Sequence, residues 1–116
     1  MMEKTEIEET VQRVVEINGG EYELKYNLKR IEDLEAALQG KALMGLMMSG
    51  SGVLSINDLK IVFAYGLKKV GADAFVAPKT GKEYATMLIE TEGYIKLTGL
   101  VLSVLQEDCP FFFQAD

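Results

Sequence analysis

The sequence predicts an α+β fold in which an N-terminal β-hairpin, alone or as part of a small sheet, packs against four to five α-helices. Three observations predict it. β-Branched residues and period-two alternation flank Asn18-Gly19-Gly20 before residue 27. From Asn27 onward, apolar residues recur three and four apart, the period of a helix. The 116 residues are 48% apolar and 26% charged, a balance that lets one domain bury roughly two thirds of its unfolded surface without metal or disulfide staples.

Each element follows from local chemistry. Val11-Gln12-Arg13-Val14-Val15-Glu16-Ile17 is a strand by its β-branched content, and Tyr22, Leu24 and Tyr26 alternate with Glu21, Glu23 and Lys25 to give one core face and one wet face. Between them Asn18-Gly19 accepts the positive φ that tight hairpin turns require. Leu28, Ile31, Leu34 and Leu38 then make the apolar stripe of a helix, with Asn27 as its N-cap and Gly40 as its stop. Leu43 to Met48 reads as a short helix and the Gly/Ser-rich residues that follow as a mobile loop. Ser55 caps a helix whose Leu59, Val62, Phe63, Leu67 and Val70 run to Gly71. A further helix opens at Thr80, which forms a capping-box pattern with Glu83, and Gly93 breaks or bends it before the apolar segment Tyr94 to Leu105, closed by Asp108 and Pro110. Ala74-Phe75-Val76-Ala77, ahead of Pro78, is a candidate third strand. By domain, residues 1–10 are a flexible acidic arm, 11–109 a single α+β unit, and 110–116 an apolar C-terminal tail.

Composition excludes several functions. Twelve Lys and Arg against eighteen Asp and Glu give a net charge of −6, with no basic stripe for a phosphate backbone, so no nucleic-acid partner is expected. The acid is concentrated in Glu3, Glu6, Glu8 and Glu9, opposed by Lys4 alone, which is the pattern of a solvated arm. No apolar run reaches the roughly eighteen residues of a membrane span, and no basic, then apolar leader opens the chain, so no membrane partner is expected.

Catalysis is not expected either. Histidine is absent, which removes the usual general base, the partner of a Ser or Cys nucleophile, and the commonest metal ligand. Glu32 and Glu35 share a helix face with Lys29, the arrangement of a solvated, salt-bridged surface. Gly45 to Gly52 has the glycine spacing of a phosphate loop, but Ser51 stands where that loop needs lysine. Cys109 is the one cysteine and has no base to activate it. No catalytic, metal or cofactor residue is assigned.

The concentrated apolar groups are the candidates for binding. Met44, Leu46, Met47 and Met48 cluster beside the Gly/Ser stretch, and methionine adapts to irregular partners. They are either a soft corner of the core or a partner surface. Phe111, Phe112 and Phe113 load the C-terminus, and either dock on the core or contact a second subunit or partner.

The opening Ile17-Asn18-Gly19-Gly20-Glu21-Tyr22-Glu23-Leu24-Lys25-Tyr26, followed by Asn27-Leu28-Lys29-Arg30-Ile31-Glu32-Asp33-Leu34-Glu35, resembles the start of the tail assembly chaperones of long-tailed (siphophage-type) bacteriophages. In that family an "I-N-G-x-x-Y-x-L-x-Y" hairpin leads into a helix with a Leu-Glu pair. A small-residue region, the helix from Ser55 with Phe63 to Leu67, and an apolar, acidic helical C-terminus are similar in layout. The acidic arm before Val11 is longer than the resemblance requires.

The resemblance implies a phage or prophage protein of the host bacterial cytoplasm. Such a protein binds the tape measure protein, keeps it soluble without ATP, and promotes assembly of the tail tube around it. It also implies the tail tube protein as a further partner, a homo-oligomer, and a second, longer form made by ribosomal frameshifting, for which the codons of Phe111 to Phe113 are the place to look. The alternative is a structural or self-assembling phage virion or tail protein without chaperone activity, whose hairpin edges pair between subunits.

Overall fold

Asn18 and Gly19 both take positive φ, 51° and 81°, so the chain reverses in a turn whose twist matches that of the flanking strands. The resulting hairpin joins β1 (Val14–Ile17) to β2 (Gly20–Leu24), with Val15 opposite Tyr22 and Ile17 opposite Gly20. The computed structural model describes residues 13–48 and 54–112. The acidic arm, the Gly/Ser stretch at 49–53 and the end of the chain from Phe113 lie outside them.

The order thereafter is α1 (Leu28–Ala37), α2 (Leu43–Met48), α3 (Ile56–Gly66), β3 (Leu67–Lys69), α4 (Pro78–Glu92) and α5 (Tyr94–Asp108), with a closing 3₁₀ turn at Pro110–Phe112. The architecture is α+β: among the described residues, a three-stranded antiparallel sheet, in the order β1-β2-β3, and five helices. Among the described residues no helix is long and apolar enough to cross a membrane.

Helix α1 begins as its sequence dictates, the Asn27 side chain accepting the Arg30 N–H at 2.8 Å. It ends at Ala37, because Gln39 and Gly40 turn left-handed together, at φ 64° and 82°, and the Gly40 N–H closes on the Glu35 carbonyl. Its polar face carries Lys29–Asp33 at 3.3 Å and Arg30–Asp33 at 3.8 Å. Glu35 leaves that face: its carboxylate accepts the Leu43 N–H at 2.7 Å and caps α2.

Three expectations are corrected. The apolar stripe from Ser55 was expected to continue as helix to Gly71, but α3 stops at Gly66 and Leu67–Lys69 is strand. Leu67 pairs with Leu24 and Lys69 with Tyr22, so the open edge of β2 captures the segment through its backbone. The third strand is therefore not Ala74 to Ala77, although Phe75 does bridge to Lys68. Finally, α4 opens at Pro78 without any side-chain cap, so Thr80 and Glu83 form no capping box. Proline at the first helical position lacks an N–H that would need a cap and already holds helical φ, which places Thr80 inside the first turn.

The core centres on α3. Leu59, Val62, Phe63 and Ala64 are fully buried, facing α1 on one side and α4 and α5 on the others. Each large side chain so buried contributes about 1.5 to 3 kcal/mol relative to exposure. Two glycines set the closest approaches. At Gly66 an added Cβ would fall 2.3 Å from the Tyr26 ring, and at Gly81 of α4 it would fall 2.8 Å from the backbone Cα of Ala64. The Tyr26 ring is held against Gly66 by its hydroxyl, which donates to the Val62 carbonyl at 2.8 Å.

An ion pair closes the fold across 95 residues. Asp108 ends α5, where the helix dipole disfavours a carboxylate. It nevertheless takes both arms of the Arg13 guanidinium, at 2.9 and 3.0 Å, and the Tyr26 N–H at 3.0 Å. Arg13 also donates to the Leu24 carbonyl. The Asp108 hydrogen bond is the main reason the Arg13 pKa lies above its ordinary value.

Two outcomes follow for stability in urea. Asp108→Ala leaves a half-buried guanidinium and the Tyr26 N–H without their acceptor, and should lower unfolding free energy by about 2 kcal/mol; a change within error would mean that water replaces the carboxylate. Gly81→Ala forces α3 and α4 apart and should cost about 1 to 3 kcal/mol, whereas a mid-helix Gly→Ala change free of contacts would stabilise by roughly 1 kcal/mol. The sign of that shift decides.

Candidate functional site

Three links gather the starts of α2, α3 and α5 at one end of the molecule. Glu35 caps α2 at Leu43; Lys41, just ahead of α2, pairs with Asp58 in the first turn of α3 at 3.4 Å. The Tyr94 hydroxyl at the start of α5 donates to the Leu54 carbonyl just before α3. Leu43 and Leu54 are buried beneath, so this end is anchored to the core.

Apolar side chains stand exposed on the same elements. Ile95 is 81% exposed and Ile56 54% exposed. Burying one isoleucine of this kind against a partner gains about 1.5 to 3 kcal/mol.

Among the residues singled out from sequence, Met44 lies half-buried on α2 at this end. Leu46, Met47 and Met48 belong to α2 as expected, but their side chains lie outside the description. Phe111 is exposed in the 3₁₀ turn, Phe112 shares the turn without a described side chain, and Phe113 lies beyond the described residues. The turn packs on α5, the helix that ends at Asp108, and no extensive contact joins it to α2 among the described residues.

Sequence reasoning passed over Ile56 and Ile95, although a signal existed for the second. The buried face of α5 is Leu97, Val101, Val104 and Leu105, and Ile95 lies two positions before Leu97, on the opposite side of the helix. Its phase, not its type, marks it as exposed.

The described residues offer little to chemistry. No cluster of three or more Cys, Asp or Glu among them has the geometry to hold a metal ion. Cys109 is fully buried at the C-cap of α5. Loss of solvent, and then the neighbouring Asp108 carboxylate, push its thiol up to about 11, the reverse of an activated nucleophile. Tyr26, buried with its hydroxyl bonded, is likewise raised, chiefly by burial. Gly45 lies inside the helix Leu43–Met48, so the glycine-spaced stretch that begins there is not a loop at its start.

No protein-family model, no curated protein and no solved structure matches this chain.

The raised thiol and phenol set the alkaline limit of stability. In the unfolded chain Cys109 loses its proton near its ordinary value of 9.0, while the native thiol holds it to about 11. The native state then binds more protons, so stability falls as pH rises through that window and is unaffected below it. Tyr26 acts with the same sign above its ordinary 10.0. The urea midpoint should stay level up to about pH 8 and decline above about pH 9, with a smaller decline in Cys109→Ala. An identical decline in that variant would remove Cys109 from the account.

Proposed function

We propose that the chain is a tail assembly chaperone of the siphophage type. It binds the tape measure protein, keeps that long apolar helical protein soluble, and promotes tail tube assembly in the host bacterial cytoplasm without ATP or any catalytic step. The carrying observation is the pattern from Ile17 to Glu35, which the chain folds into a tight-turned hairpin running straight into a capped amphipathic helix. Exposed Ile56 and Ile95 support it, because a holder of amphipathic helices needs apolar contacts on an acidic surface. Met44, Leu46, Met47 and Met48 are the proposed client-binding residues, with Phe111 to Phe113 as a second contact.

The second reading is a self-assembling virion or tail protein. Its support is the antiparallel hairpin, the element through which subunits of such a protein would pair.

Co-expression with the long, helix-rich protein encoded beside this chain separates the two. The chaperone reading expects that protein to move into the soluble fraction and to co-purify. Changing Met44, Met47 and Met48 together to Gln should weaken that association at least about tenfold, a loss of roughly 1.4 kcal/mol, while circular dichroism stays unchanged. An insoluble client, with rings or tubes formed by this chain alone, would establish the structural reading instead.

A further inference from the structure

Three lysines gather in one place on a chain whose net charge is −6. Lys60 of α3 and Lys79 and Lys82 of α4 line a shallow cleft of about 300 Å³ together with Asn57, Glu83 and Thr86. On α4 the lining residues recur three and four apart, as one face of a helix must. None of these lysines joins an ion pair among the described residues, nor do Lys25, Lys68 and Lys69, whereas Arg13, Lys29, Arg30, Lys41 and Lys96 are each paired; the cleft is where three unpaired lysines meet. Three cations beside the single carboxylate of Glu83 repel one another, and their field favours an anion.

The shape of the cleft narrows the class of anion. It is open and shallow, and ammonium groups act as point charges without the planar fork that selects phosphate. Carboxylates carried on an extended or helical peptide fit it. The sequence holds such a peptide: Glu3, Glu6, Glu8 and Glu9, four acids opposed by one lysine.

Within one protomer a chain of contacts leads from the base of this segment toward the cleft. The segment leaves the described fold at Arg13, which is held in place by Asp108 and Leu24. Two residues on, Val15 lies opposite Tyr22, whose ring meets Tyr84 of α4 edge-on at 5.4 Å. Tyr84 adjoins Glu83 in the cleft. Glu9 and Glu3 are four and ten residues from Arg13, which gives them a span of about 13 to 33 Å when extended.

We propose that the acidic N-terminal segment, residues 3–9, docks in the lysine cleft between α3 and α4 of its own protomer. The docking neutralises Lys60, Lys79 and Lys82 and stands whether or not the chain is a chaperone.

Zero-length carbodiimide cross-linking of the full chain tests it, using an equal mixture of unlabelled and isotope-labelled protein. The expected result is that Glu3, Glu6, Glu8 and Glu9 couple to Lys60, Lys79 and Lys82 several times more than to Lys25, Lys68 or Lys69. The products should join like with like and disappear at an ionic strength of about 1 M, where the Debye length is about 3 Å. In NMR, changing the four glutamates to Gln should shift the amide signals of the three cleft lysines and leave the core signals in place. Coupling spread evenly over all lysines, or no movement of the cleft amides, overturns the proposal. Products joining labelled to unlabelled chains overturn it in favour of docking by a second copy.

Discussion

The fold depends on how closely its neighbours can approach α3. The C-terminal half of that helix presents Ala64 and Gly66 where bulk would otherwise stand, so the Tyr26 ring and the backbone of α4 at Gly81 come into direct contact with it. Those two approaches fix the sheet on one side of α3 and α4 on the other. With α3 so placed, Leu59, Val62 and Phe63 complete the interior, and among the described residues no charged residue is buried. β3 belongs to the same constraint: once Tyr26 lies on Gly66, Leu67 is carried beside Leu24 and the strand pairing follows.

Around this apolar centre, polar groups act at the seams. Arg30 leaves its own helix face to donate to the Tyr65 carbonyl at 2.7 Å, with its guanidinium 4.0 Å from the centre of the Phe75 ring and 5.1 Å from that of Tyr65. It thereby joins α1 to the end of α3 and to the segment that bridges β3. Glu35 and Lys41 do the equivalent for α2. A six-residue helix is too short to persist on its own hydrogen bonds, so these two side chains and buried Leu43 are what hold the methionine-bearing element in place.

Much of this was legible in the sequence because it is local. Asn18-Gly19 determines its turn and Asn27 its cap through chemistry that needs no distant partner. The break at Gly93, at φ 102°, is local too. β3 was illegible because Leu67 and Val70 extend the helical stripe of α3, and the strand exists only where β2 offers an edge. Thr80 misled because its pattern competed with a proline two residues earlier. The same division holds at the candidate site. The methionines on α2 announced themselves by composition, whereas Ile56 and the link between Tyr94 and Leu54 arise from elements 40 residues apart meeting. The pairing of Arg13 with Asp108 left no trace in any window of sequence.

That last pairing bears on the order in which the protein is made. The hairpin is synthesised well before the carboxylate that holds Arg13 and the Tyr26 N–H, which comes only at the end of α5. Until Asp108 arrives, the sheet has its turn and its register but no fastening along the seam with α5. Packing of Tyr26 on Gly66 and pairing of β2 with β3 need only residues up to 69, whereas the Arg13 seam waits for residue 108. Any chain that carries residues 13–108 keeps this fastening, and one cut short of Asp108 loses it.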